Sequence, residues 1–174
     1  MSFANGTRRL VLLRHAKAEP AGSVGDQFRP LALHGRRQAV AIGEKLSGLG
    51  VEPQKVFCSA ALRTRQTWEL VSNGLDLDAS FAQVEESLYL AAAENVLDVV
   101  RGCEEPDTIL VVGHEPVMSS LAAHLAGPGT DAAVFDRVRI GLPTSGFAIL
   151  ESDLPWSEWD AGTALLVSTD SAEV

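Results

Sequence analysis

The sequence predicts a three-layer α/β/α sandwich with a mainly parallel sheet, built as one domain over residues 1–174. Three observations lead there. The continuous aliphatic runs Leu10–Leu13 and Thr108–Val112 have the character of strands covered on both faces. Segments with helical spacing of apolar residues stand between such runs. Gly and Pro punctuate the connections. The length, 174 residues, is enough to bury one real core.

Taken in order, Leu10–Leu13 is the first strand and the polar stretch Glu19–Arg29, with Gly22, Ser23, Gly25 and Asp26, is a loop. A helix is expected from about His34 to Leu49, with Ala39, Ile42, Leu46 and Leu49 on one face and Arg36, Arg37, Glu44 and Lys45 largely on the other. Gly48, Gly50 and Pro53 end it. Val56–Cys58 reads as a strand, Leu62–Val71 as a helix and Gln83–Glu85 as a short edge strand. Glu94–Arg101 is helical, with Val96, Leu97 and Val100 on one face, and Pro106-Asp107 precedes the strand Thr108–Val112. The next helix carries Met118, Leu121, Ala122 and Leu125, with Pro116 near its first turn. Phe147–Leu150 and Ala164–Val167 read as two antiparallel closing strands. Residues 1–7 and 168–174 are expected to fray.

Composition narrows the function. The net charge is −9, from 23 acidic and 14 basic residues, so neither nucleic acid nor an anionic membrane is an expected partner. No apolar stretch is long enough for a membrane span or a secretion signal. Cys58 and Cys103 suggest two thiols in a reducing compartment, hence a cytoplasmic protein. With few basic groups, their placement matters more than their number.

Open α/β sheets bind ligands at the carboxyl ends of their strands. Arg14 and His15 follow the first strand. Ser59 and, one turn into the next helix, Arg63 follow the second. Gly113 and His114 follow Thr108–Val112. Two arginines and two histidines thus converge from three strand ends. The set suits a phosphoryl group: guanidinium supplies paired, permanently charged donors, and the helix N-termini after Ser59 and Glu115 could add backbone donors. One imidazole can attack phosphorus while the other binds the transferring oxygens.

The segment Leu12-Leu13-Arg14-His15-Ala16 resembles the Arg-His-Gly opening of the histidine phosphatase superfamily, the phosphoglycerate-mutase-like fold. Ser59-Ala-Ala-Leu-Arg63-Thr-Arg-Gln66-Thr67 is similar to its Ser-x-x-x-Arg-x-x-Gln-Thr motif, and Val112-Gly113-His114-Glu115-Pro116 to its later Gly-His. The short chain, Arg29-Pro30-Leu31, Leu88-Tyr89-Leu90-Ala91 and Pro143-Thr144-Ser145-Gly146 resemble the small SixA-like branch, whose namesake is a phosphohistidine phosphatase. The resemblance implies that His15 takes up the phosphoryl group and that water then releases it. Arg14, Arg63 and His114 would bind the phosphoryl oxygens. No cofactor or metal is implied, because the arginines supply the positive charge. Ala16 stands where the family has Gly and needs an unstrained φ. Glu86 is the first choice as proton donor to the leaving group, with Glu85, Asp26 and Glu19 as alternatives. A missing acid would fit a phosphoramidate, whose leaving ring takes its proton from solvent.

The expected substrate is protein phosphohistidine. A small phosphoester or sugar phosphate is the alternative, and a non-catalytic module for a phosphorylated partner is a third reading that His15 argues against. A cysteine phosphatase is excluded: an Arg is required at the sixth position after Cys58, and that residue is Thr64. His114-Glu115 does not begin a zinc-protease helix, since position 118 is Met. Arg65, two residues past Arg63, should point elsewhere on the helix, and His34 and His124 should be exposed. Trp156 and Trp159 should cover the core or an interface.

Overall fold

Side-chain alternation along the strands sorts the core into two halves. In β1 (Arg8–Arg14), Leu10 and Leu12 face one helical layer while Val11 and Leu13 face the other. The same split divides Ile109 and Val111 from Leu110 and Val112 in β4 (Thr108–Gly113). The two-residue period of a strand, covered on both sides, produces both partitions. The computed structural model describes residues 6–173.

The remaining strands are β2 (Lys55–Ser59), β3 (Gln83–Glu85), β5 (Phe147–Ser152) and β6 (Leu165–Asp170). The helices are α1 (Leu33–Gly48), α2 (Leu62–Gly74), α3 (Ala93–Arg101), α4 (Val117–Leu125) and α5 (Ala132–Ile140). Together the strands form a six-stranded sheet in the order β3-β2-β4-β1-β5-β6. The pairs β3/β2, β2/β4 and β4/β1 are parallel, whereas β5 runs antiparallel to both β1 and β6. The mainly parallel three-layer sandwich and its two antiparallel closing strands are therefore as expected.

Ala39, Ile42 and Leu46 of α1 and Trp68 and Val71 of α2 pack on one face. Val96, Leu97 and Val100 of α3, Met118 and Leu121 of α4 and Val138 of α5 pack on the other. Trp156 and Trp159 are fully buried in this second half, with ring centroids 4.7 Å apart. α1 and α2 touch backbone to backbone at Gly43 and Gly74, where a Cβ on Gly74 would overlap the main chain of Gly43. The approach locks the C-terminal halves of the two helices together on one face of the sheet.

Two expectations need correction. Ser168–Asp170 are not frayed: they complete β6, with Phe147 opposite Asp170, and Lys45 Nζ donates to Asp170 Oδ2 and Ser171 O, both at 2.8 Å. Pairing with β5 holds a polar edge that has no apolar run to announce it. The sequence reading also assigns no element between Gly129 and Pro143, where α5 lies, capped by Asp131 Oδ1 accepting from the Ala133 and Val134 amides. Residues 1–5 and 174 of the expected frayed ends lie outside the described residues. Among the described residues no helix is long and apolar enough to cross a membrane.

Candidate active site

Strand register brings the functional side chains together. Arg14 lies opposite Gly113 across β1/β4, and Cys58 opposite Val112 across β2/β4, so all three strands end at one edge. The chain beyond β1 is pinned there from every side. His15 N donates to Gly113 O (3.1 Å), Arg14 N to Gly146 O (2.9 Å) and Ser145 N to His15 O (3.0 Å). Ser145 is fully buried and holds φ 59°, an uncommon conformation for a residue with a side chain, within the Pro143–Gly146 turn. Ala16, by contrast, has no left-handed φ, so the missing Gly costs nothing there. Its amide donates to Thr67 Oγ1 (3.0 Å), and Thr67 donates in turn to Arg63 O (2.7 Å). The Ala32 amide bonds the Lys17 carbonyl, against which Gly35 packs so closely that any Cβ there would overlap it.

The hydrogen bonds fix the His15 tautomer. Its Nδ1 lies 2.7 Å from Ala16 O, and a carbonyl only accepts, so Nδ1 carries the proton and Nε2 keeps its lone pair. The ring is neutral as well. Burial, then His114, Arg63 and Arg14, outweigh the Ala16 hydrogen bond and depress its pKa to about 3. His114, with its ring centroid 5.4 Å from that of His15, is depressed to about 4, by burial and then by Arg63. Its Nε2 is 2.8 Å from Ser59 Oγ, and its Nδ1 is 3.4 Å from Arg63 Nη2.

Arg63 is buried in the first turn of α2 yet turned toward the sheet edge. Nη1 donates to Asp26 O (2.9 Å) and Nη2 to Asp26 Oδ2 (3.0 Å). Asp26 also accepts from Tyr89 Oη (2.5 Å) and Arg29 Nη1 (2.9 Å). These bonds, that of Tyr89 first, hold its carboxyl far below the usual carboxylate range, so Asp26 is an anion with no proton to give. Tyr89 stands edge-on to His114, with ring centroids 5.8 Å apart. The segment around Asp26 is thereby fastened over the site.

Arg14 is held differently. Nη1 donates to Leu142 O (2.9 Å), which leaves Nη2 without a hydrogen-bond partner among the described residues. Behind Leu142 stands Glu115, whose Oε2 accepts from Leu142 N (3.1 Å) and Ser119 Oγ (2.6 Å) and whose Oε1 accepts from Ser119 N (2.8 Å). Burial lowers the Arg14 pKa and the nearby Glu115 carboxylate raises it. Glu115→Ala would release Leu142 and with it Arg14. Tungstate, a phosphate-like oxyanion, is expected to bind about tenfold more weakly by calorimetry, with Glu115→Gln recovering part of the loss. Unchanged affinity in the alanine variant would remove Glu115 from this role.

Arg14, His15, Arg63 and His114 therefore stand together as the strand ends suggest. Glu86 does not join them. It is exposed, its side chain makes no hydrogen bond or ion pair among the described residues, and it lines a neighbouring cavity that none of those four residues lines. Glu19 is exposed too, and Glu85 accepts from Gln83. Asp26, ranked behind Glu86 in the sequence, is the carboxylate that touches the site. Arg65 turns away, donating to Ala60 O (3.1 Å), and His34 and His124 are exposed. Cys58 is buried, its thiol pushed up to about 12 by burial, so it is no nucleophile. Sequence reasoning passed over Thr67, Glu115, Tyr89 and Gln38, which accepts from Lys17 N (2.9 Å) and donates to Thr144 Oγ1 (3.2 Å), as supports. Gln66 and Thr67 lay within the second motif, Glu115 within the third and Tyr89 within the Leu88–Ala91 segment.

An imidazole with a free Nε2, ringed by two guanidiniums and a second imidazole, defines a phosphatase, a hydrolase of phosphorylated compounds. The comparisons agree. Residues 10–89 match the family model of the histidine phosphatase superfamily (branch 1). An uncharacterized protein of Mycobacterium tuberculosis is 41% identical over 157 residues, 89% of this chain and 96% of the relative. The structure of a putative phosphohistidine phosphatase SixA from Nakamurella multipartitia superposes with TM-score 0.81 at 31% identity, covering 95% of this chain and 96% of that one. The phosphohistidine phosphatase SixA of Escherichia coli is 29% identical over 146 residues, 78% of this chain and 84% of its own. The chain belongs to the histidine phosphatase superfamily.

Proposed function

We propose that this enzyme hydrolyses phosphohistidine on proteins through a phosphoryl intermediate on His15. The observation that carries this reading is the state of Asp26. The carboxylate in contact with the phosphate-binding groups is committed to Arg63, Arg29 and Tyr89 as an anion. It cannot protonate an alkoxide leaving group. A phosphoimidazole needs no such acid, because protonation of its distal ring nitrogen by solvent already makes it a good leaving group. An anionic Asp26 at the mouth of the site favours that cationic ring. The similarity to proteins called SixA phosphohistidine phosphatases supports the same choice.

In the first step Nε2 of neutral His15 attacks phosphorus, the P–N bond to the substrate ring breaks, and the ring leaves carrying its distal proton. Arg14 Nη2, Arg63 and His114 Nδ1 bind the three transferring oxygens. As it stands, Arg63 Nη2, which can only donate, faces His114 Nδ1 at 3.4 Å, so Nδ1 accepts there. For His114 to donate from Nδ1, that Arg63 nitrogen must turn to the phosphoryl oxygens and Nε2 must accept. Ser59 Oγ allows this, since a hydroxyl 2.8 Å away can donate as readily as it accepts. In the second step water attacks the phosphoryl group on His15 and inorganic phosphate departs. The reading places the enzyme in the cytosol, where Cys58 and Cys103 remain thiols.

The test is phosphate release, without added metal, from a phosphohistidine-bearing carrier protein and from a panel of small phosphoesters. The expected preference in kcat/KM is about 10²–10⁴ for phosphohistidine, the factor that a positioned acid would otherwise supply to an ester. Equal or better turnover of a sugar phosphate would overturn the phosphohistidine assignment. Oxyanion binding with no turnover of any substrate would make the chain a phosphate-binding module.

A further inference from the structure

Beside the phosphate site lies a second, separate cavity of about 310 Å³, walled by Gln27, Phe28, Arg65, Val84, Glu86 and Tyr89. Tyr89 is the partition: its hydroxyl bonds Asp26 on the side of the site, and the residue also lines the cavity. Three features of this cavity have no use in the chemistry at His15. Phe28 and Val84 are large apolar residues left 57% and 51% exposed. Arg65 bonds only a main-chain carbonyl, Ala60 O, and has no carboxylate partner among the described residues. Glu86 shares the cavity with Arg65, yet the two do not pair and Glu86 has no cation of its own among the described residues. Val84 also belongs to β3, the terminal strand of the sheet, whose outer edge carries no neighbouring strand among the described residues.

We infer that this cavity is a docking subsite for the polypeptide flanking the phosphorylated residue of a protein substrate. The inference rests on the phosphohistidine-protein reading above and extends it to the partner's sequence. An apolar side chain seats between Phe28 and Val84, and an acidic side chain pairs with Arg65. Glu86 takes a basic neighbour and repels a second acid. A polypeptide fits this cavity better than a metabolite would. It supplies apolar body and both signs of charge along one chain, and an extended segment can lie along the open edge of β3. The position of Phe28 is fixed by its neighbours: Asp26 is tied to Arg63 and Tyr89, and Arg29 to Asp26 and to Glu19 O. The apolar wall is thus built in the same loop that fastens over the phosphate site. Docking there would register a phosphorylated side chain against His15 across the Tyr89 partition.

The experiment compares wild type with Phe28→Ala and Arg65→Glu, two exposed positions whose replacement leaves the core intact. Each protein is assayed on a phosphohistidine-bearing carrier protein and on phosphoimidazole, which has the same reacting bond and no polypeptide. Tungstate affinity reports the integrity of the phosphate site. Both variants are expected to lose roughly tenfold in kcat/KM on the protein, through KM, while phosphoimidazole turnover and tungstate affinity stay within about twofold. A pair of phosphohistidine peptides flanked by Glu or by Lys adds the charge test: wild type prefers the Glu peptide and Arg65→Glu prefers the Lys peptide. Equal losses on both substrates, no loss on the protein, or an unchanged peptide preference would each overturn the subsite while wild-type turnover stands. A wild type inert toward phosphohistidine protein and active on esters would overturn both readings together.

Discussion

His15→Ala is expected to reduce phosphate release by roughly 10⁴-fold or more, the scale on which removal of a nucleophile acts. Tungstate should still bind within a few-fold of wild type, because Arg14, Arg63 and His114 keep their own supports at Leu142, Asp26 and Ser59. Wild type quenched in alkali, where phosphohistidine survives, should carry the mass of one phosphoryl group; the variant should carry none. Retention of a hundredth of wild-type turnover would assign the phosphoryl group to some other residue. The pH dependence follows from the same geometry. An ordinary imidazole protonates near pH 6.5 and stops being a nucleophile below it. Burial and the flanking cations move that limb down to about 3 for His15, and the His114 limb to about 4. Between pH 5 and 8 kcat/KM should therefore show no imidazole limb of the free enzyme, only the ionisation of the substrate. Linkage runs the same way: both depressed values mean stability that is complete above about pH 6.5 and is lost as the pH falls toward the folded values.

How much of this could be read beforehand depended on whether a residue acts through its own strand or through a distant contact. Arg14, His15, Arg63 and His114 were legible because each follows an apolar run or opens a helix, and a parallel sheet places such positions at one edge. Gln83–Glu85 was legible as a short edge strand, and it is one. The acid was not. Asp26 is 37 residues from Arg63 and 63 from Tyr89 in sequence, and its role exists only once the loop has folded across. A local reading weighed it as one surface carboxylate among four. α5 escaped for a different reason: within Ala132–Ile140 only Val138 is fully buried, so the helix has almost no apolar stripe, and its clearest signal is the Asp131 cap. β6 ends in Ser-Thr-Asp because an edge strand with solvent on one side needs no apolar run. Glu115 fell inside a recognised motif, but its partner Leu142 is 27 residues further on, so its hold on Arg14 could not be seen.

Arg63→Met is the substitution that joins the chemistry to the loop, and two effects are expected from it at once. Loss of a charged donor to the transferring oxygens should cut kcat/KM by about 10²–10³-fold. The second effect is mechanical. Arg63 Nη1 holds Asp26 O and Nη2 holds Asp26 Oδ2, so removing the guanidinium leaves the Asp26 carboxylate held by Tyr89 and Arg29. Amide exchange at Phe28 and Arg29, whose N–H groups bond Gly25 O and Asp26 O, should accelerate in Arg63→Met. Arg63→Lys keeps the charge but cannot span both acceptors, and should recover little of either property. Asp26→Asn separates the two effects. It retains a hydrogen-bond acceptor for Arg63 and Tyr89, so the loop should stay protected, while Arg63 loses its neutralising carboxylate and should bind tungstate more tightly. If Arg63→Met loses activity with no change in exchange at Phe28, the guanidinium serves the phosphoryl group alone and the loop is held by Tyr89. If Asp26→Asn binds tungstate no better than wild type, the Arg63–Asp26 pair is structural, and the anionic character of Asp26 plays no part in choosing the leaving group.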